Sequence, residues 1–173
     1  MTGLTRLLVM RHAKSDWASG AEDDFGRPLN ARGMRDARLM GHWLAQSGQV
    51  PERILSSPAR RTRQTLELMS EGAGINLLGR TDWHDDLYHA SLTTLCAVLA
   101  KSVALTDLLL LGHNPGLEEL VTSLLDGLVP LARHQKILPT GAVYVLELPR
   151  GFAGVQAGSA RVLAHQRPQA LVK

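Results

Sequence analysis

The sequence predicts an α/β fold, a three-layer α/β/α sandwich with a mainly parallel central sheet. Two observations carry this. Short runs rich in Leu, Val and Ile alternate with longer amphipathic segments, the pattern of strands covered by helices on both faces. The chain of 173 residues has the size of one domain, taken here as residues 1–173, and leaves little room for a second core. With 45% hydrophobic and 20% charged residues it has the composition of a packed protein rather than a disordered one.

The predicted strands are Leu4 to Met10, Arg53 to Ser56, Ile75 to Leu78, Asp107 to Leu111, Ala142 to Leu148 and Ala160 to His165. Between the first two, Met34, Ala37, Met40 and Leu44 recur at three- and four-residue spacing, so "LNARGMRDARLMGHWLAQSG" reads as a crossover helix closed by Gly48. After the second strand, "SPARRTRQTLELMSEG" has Ser57 as a cap and Pro58 at the first helical position, and runs out at Gly72. The strand "DLLLLG" breaks at Gly112 into "HNPGLEELVTSLLDG", where Asn114 and Pro115 open a helix and Gly127 ends it. Only the loops Lys14 to Pro28 and Val129 to Pro139 are long enough to be more than connections, and both are candidates to border a site.

Composition sets limits on function. A net charge of +3 with 4% aromatic residues leaves few side chains to stack on bases, so no nucleic-acid partner is expected. The single cysteine, Cys96 in "LTTLCAVLA", allows no internal disulfide and reads as a small buried thiol, which suits a reducing compartment. The apolar run of "MTGLTRLLVM" is too short for a signal peptide, and no segment reaches transmembrane length. A cytoplasmic location with no membrane partner is expected.

The chemistry sits at strand ends. In an open parallel sheet, ligands bind beyond the carboxyl ends of the strands. Three such ends carry unusual residues: Arg11 and His12 after the first strand, Ser57 and Arg61 at the opening of a helix, and Gly112 and His113 before another helix start. Two arginines, two histidines and two helix N-termini then face one electropositive volume suited to a compact oxyanion. Phosphate fits best, because the planar guanidinium fork binds two of its oxygens at once. A histidine in that clamp, neutral in part at cellular pH, can attack phosphorus in line and form a phosphohistidine. The second histidine, held protonated by the anion, stabilises charge on the equatorial oxygens. No metal or other cofactor is needed for this.

The ordered strings "RHAKSDW", "RPLNARG", "SSPARRTRQT", "DDLYHAS" and "GHNPGLEEL" resemble the histidine phosphatase superfamily, the phosphoglycerate mutase-like fold, in its small SixA-like phosphohistidine phosphatase branch. The match spans most of the chain. The resemblance implies that His12 is the nucleophile, Arg11 its phosphate-binding neighbour, Arg61 the second arginine, three residues before a Gln-Thr pair, and His113 the second histidine. Ser57 opens the same helix as in relatives. Asn114 and Lys14 join Ser57 as expected substrate-binding residues. For the proton donor, relatives of the mutase type carry a carboxylate shortly before an aromatic residue. "DWHDDLYHA" offers Asp85 and Asp86 before Tyr88, and the register toward the aromatic favours Asp85.

Several residues have plainer readings. Arg60 and Arg63 flank Arg61 and read as solvated helix charges, since only one of three neighbours can face inward. Lys14 either draws anions in or sits in water. His84, His89, His134 and His165 form no metal-binding spacing and read as surface or core histidines. Trp43 fits a buried helix face, while Trp17 lies in a loop near the site and either lines its mouth or does not.

The expected function is a metal-independent phosphohydrolase acting through a phosphohistidine intermediate, with phosphohistidine on a partner protein as substrate. The alternatives are a phosphatase of a small phosphate ester, such as a sugar phosphate or nucleotide, and a non-catalytic phosphate-binding module.

Overall fold

The structure is a computed structural model that describes residues 4–129 and 136–172. The expected elements appear in the expected order, except that the third strand forms later than anticipated and a helix over Leu92–Ala100 is added. β1 (Arg6–Arg11) leads through α1 (Ala31–Gln46) to β2 (Arg53–Ser56), and α2 (Arg60–Ala73) leads to β3 (Thr81–Trp83). Then follow α3 (Leu92–Ala100), β4 (Asp107–Gly112), α4 (Gly116–Leu124), β5 (Val143–Glu147) and β6 (Arg161–Gln166). The six strands form one sheet in the order β3-β2-β4-β1-β5-β6. β3, β2, β4 and β1 pair in parallel, and β5 and β6 add antiparallel at one side.

Burial of the central strands on both faces explains their continuous apolar runs. Alternate residues enter opposite layers: Leu7, Val9, Leu108 and Leu110 pack with α3 and α4, while Leu8, Met10, Leu109 and Leu111 pack with α1 and α2. Helices α1 and α2 touch backbone to backbone. A Cβ on Gly41 of α1 would lie 2.1 Å from the carbonyl oxygen of Met69 on α2. Replacing Gly41 by alanine therefore has to push the helices apart, and is expected to lower unfolding stability by about 1–3 kcal/mol, read as a fall in Tm.

Three expectations change. The strand anticipated at Ile75 to Leu78 is a loop entering a short 3-10 turn at Leu78–Arg80, and the strand forms later, at Thr81–Trp83. Leu77 is fully buried and Ile75 packs on the same α1/α2-side core without ladder bonds, so apolarity there signals burial rather than pairing. Ser57 does not cap α2. That helix starts at Arg60 after Ala59, and ends at Gly74 in the left-handed conformation (φ +65°) instead of at Gly72. Cys96 is half-buried rather than buried, at the edge of the α3/α4-side core. His134 and part of the loop Val129 to Pro139 lie outside the described residues. Among the described residues, no helix is long and apolar enough to cross a membrane.

Candidate active site

The strand order builds the site. β4 lies between β1 and β2, and Arg11 of β1 is in register with Gly112 of β4. The backbone N–H of His12 donates to the Gly112 carbonyl at 3.1 Å, and that of Ser57 to the Leu111 carbonyl at 3.2 Å. The three residue pairs foreseen at separate strand ends therefore meet at one edge, where α2 and α4 also begin. Together they form a cavity of about 190 Å³ lined by Arg11, His12, Lys14, Ser15, Trp17, Asp24, Arg27, Arg61, His89, His113, Asn114 and Thr140.

His12 forms the floor, 5% exposed. Its Nδ1–H donates to the Ala13 carbonyl at 2.7 Å, which assigns the proton to that nitrogen and leaves the Nε2 lone pair free. Burial, opposed by the Ala13 bond and reinforced by Arg61, Arg11 and Arg27, holds the ring well below the ordinary imidazole range, at about 3. His12 is thus neutral at any cellular pH. The loop carrying it is anchored to α2, since Ala13 N–H donates to Thr65 Oγ1 and Leu29 N–H to Gln64 Oε1. The Gln-Thr pair fixes the position of the histidine. A Cβ on Gly33 would lie 2.0 Å from the Lys14 carbonyl oxygen, so the glycine of "NARG" lets α1 close on the same loop.

Arg61 is 1% exposed. Its Nη1 donates to the Asp24 carbonyl at 2.6 Å, and its Nη2 to Asp24 Oδ2 at 2.9 Å and to His113 Nδ1 at 3.2 Å. With Nδ1 accepting, His113 carries its proton on Nε2 and donates to Ser57 Oγ at 2.8 Å. That bond explains why Ser57 is not a helix cap. Burial, then His12, Arg61 and His89, hold His113 down to about 2 against the pull of Asp24, so it is neutral in the free site. Among the described residues, Arg11 hydrogen-bonds only the Leu138 carbonyl, at 3.4 Å, and neither its buried Nε nor that of Arg61 has a partner. Asn114 donates to the same carbonyl at 2.9 Å. Donors without acceptors beside an open cavity are suited to an anion.

Two histidines buried in the neutral form tie stability to pH. Both titrate lower when folded than when unfolded (about 3 and about 2, against an ordinary 6.5), so below pH 6.5 the unfolded chain binds more protons. Stability is full above 6.5 and falls as the pH drops from there toward 3. Thermal melts across that window should show a declining Tm, with a shallower decline in His12→Asn.

Sequence reasoning missed Asp24, Arg27 and His89. The loop Lys14 to Pro28 folds back through a bridge between Ser15 and Leu29 and lowers Asp24 over Arg61. The Asp24 carboxylate accepts from Arg27 Nη2 at 2.6 Å, Tyr88 Oη at 2.7 Å and His89 Nε2 at 3.1 Å. Burial alone would raise its pKa, but the bonds from Tyr88, Arg27 and His89 and the charge of Arg61 drive it far below the carboxylate range, so it is ionised. Arg27 also bonds Ser15 Oγ and stacks its guanidinium 3.6 Å from the ring of Trp17. Trp17 is 76% exposed and stands at the mouth. Lys14 lines the cavity, half-buried.

Asp85 and Asp86, anticipated as the proton donor, are not brought into this cavity. They are exposed on a 3-10 turn whose third residue, Leu87, is the one that enters the core. Asp86 lies 3.9 Å from His84, and both line a different cavity with Arg53 and Lys101. The tight turn before Tyr88 directs the aromatic toward the site and the aspartates away. Arg60 and Arg63 are exposed, as expected. Among the described residues no group of three or more histidine, cysteine or acidic side chains is arranged to hold a metal ion.

A sequence profile of the histidine phosphatase superfamily (branch 1) matches residues 7–87. An uncharacterised protein of Mycobacterium tuberculosis is 32% identical over 166 residues, covering 92% of this chain and 100% of that protein. The phosphohistidine phosphatase SixA of Escherichia coli is 30% identical over 128 residues, covering 72% of this chain and 77% of that protein. Among solved structures, a protein histidine phosphatase SixA complexed with tungstate superposes with a TM-score of 0.78 at 26% identity, covering 96% of this chain and 99% of the other.

Proposed function

The chain belongs to the histidine phosphatase superfamily and is a phosphatase, and on that premise we propose that it transfers the phosphoryl group of its substrate to His12 and then to water. One observation carries the reading: an imidazole fixed in its Nδ1–H form, with its Nε2 lone pair free, at the floor of a cavity lined by Arg11, Arg27, Arg61 and Lys14. Only an unprotonated nitrogen can attack phosphorus, and burial keeps this one unprotonated. Arg11 and Arg61 bind the equatorial oxygens. His113, neutral in the free site, gains a reason to protonate once a phosphate dianion enters, and then adds its charge to the clamp. Ser57 and Asn114 hold the site's geometry, through His113 and the Leu138 carbonyl respectively. Four cationic side chains supply the charge neutralisation that a metal ion supplies elsewhere, so turnover is expected to persist in the presence of a chelator.

The proposed substrate is phosphohistidine on a partner protein. Two features support this: the likeness to SixA phosphohistidine phosphatases, and a small cavity whose rim includes the exposed Trp17, within reach of a side chain presented by another protein. Turnover of a phosphohistidine-bearing phosphotransfer protein, compared with a panel of sugar phosphates and nucleotides, tests the assignment. A kcat/KM higher on the protein substrate supports it. A preference for one ester establishes the small-molecule reading instead.

A further inference from the structure

We propose that His89 is the catalytic acid that protonates the leaving group, an inference that rests on the phosphatase reading above. In-line attack fixes where that acid must stand. His12 lies at the buried floor, so the leaving atom departs on the opposite side, toward the opening. Asp24, the one carboxylate lining the cavity among the described residues, is held ionised by its donors and has no proton to give. Arg27 is engaged with Asp24, Ser15 and the Trp17 ring, and guanidinium and ammonium side chains in general bind charge rather than donate protons to a leaving group. His12 and His113 are engaged in attack and in binding. Among the described residues lining the cavity, His89 is the remaining imidazole, a side chain of the type that most often serves as a general acid.

Its surroundings suit the role. Asp24 Oδ2 accepts from Nε2 at 3.1 Å, and Nδ1 has no hydrogen-bond partner among the described residues. The ring packs against Tyr88 (centroids 4.4 Å apart) and against His113 (5.0 Å), which places it beside the phosphate clamp. The charged or titratable groups facing it are Asp24 from the 14–28 loop, Arg61 from α2, His113 beyond β4 and its neighbour Tyr88. The backbone of His89 is left-handed, with φ of +50°, a conformation unfavourable for a non-glycine residue that persists where the surroundings enforce it.

The step balances. His12 Nε2 bonds to phosphorus as the bond to the leaving oxygen or nitrogen breaks. The electron pair of the broken bond goes to that atom, which takes the proton from imidazolium His89. Water then attacks the phosphoenzyme and gives a proton to neutral His89. The bond from phosphorus to His12 breaks with its pair returning to Nε2, and phosphate leaves.

The test is the dependence of kcat/KM on leaving-group basicity across aryl phosphates from p-nitrophenyl to phenyl phosphate, in the parent and in His89→Asn. The variant's loss should grow along the series, from about 3-fold with p-nitrophenyl phosphate to about 100-fold with phenyl phosphate, as expected when general-acid help is removed. A loss of equal size at every member marks a structural role and overturns the proposal, as does no loss. A parent protein that forms no phosphoenzyme on His12 with p-nitrophenyl phosphate overturns the proposed route through His12 as well, which separates the two failures.

Discussion

His12→Ala is expected to lower kcat on an aryl phosphate by at least about 10³-fold and to leave no phosphoenzyme, because it removes the proposed nucleophile. The size of the effect follows from the site's construction. On the proposed mechanism, direct attack by water would have to replace a nucleophile held in place by the fold, and would lose the benefit of fixed orientation. The fold itself should survive. His12 is small, lies at the cavity floor, and the bond tying its loop to α2 runs from the Ala13 backbone to Thr65 rather than through the imidazole. Circular dichroism and Tm measured beside the kinetics check that the loss is chemical.

Arg61→Ala is expected to reduce kcat/KM by about 10²- to 10³-fold, the range for removing a preorganised donor from a buried anion site. Arg61→Lys should recover little of it. The guanidinium serves Asp24 through two nitrogens and His113 through one of them, and a lysine amine lacks that planar fork. The damage should also reach beyond the phosphate. Without Arg61, the 14–28 loop loses two of the bonds that hold Asp24 over the cavity, those from Tyr88 and His89 remaining, and His113 loses the donor that fixes its tautomer. Inhibition by inorganic phosphate provides the separate readout: it should weaken in both variants in step with kcat/KM. Unchanged phosphate inhibition in Arg61→Ala would remove this residue from the clamp.

How much of this was legible in the sequence depended on the range of the interactions involved. His12, Arg11, Arg61 and His113 could be read because each sits at a fixed offset from a strand end, and parallel topology brings such ends together. Asp24 could not. It follows Glu22 and Asp23 in "EDDF", and nothing local separates the carboxylate that meets Arg61 from its neighbours; that depends on the loop folding back through Ser15 and Leu29. His89 was hidden for the same reason, since its partner Asp24 lies 65 residues away. Asp85 and Asp86 show the reverse case, a plausible local spacing undone by the direction in which a short turn points its side chains. In the sheet, the buried strands announced themselves, whereas β3 is a three-residue edge strand whose residues are half-buried or exposed, and the apolar run just before it drew the prediction away.

The central claim is that the phosphoryl group passes through His12. Rapid acid-free quenching during turnover of an aryl phosphate, followed by peptide mapping by mass spectrometry, tests it directly. The account predicts a phosphoryl group on the peptide containing His12, stable in base, lost in acid and missing from His12→Ala. A phosphoryl group on a different residue, or full turnover in His12→Ala, would contradict it.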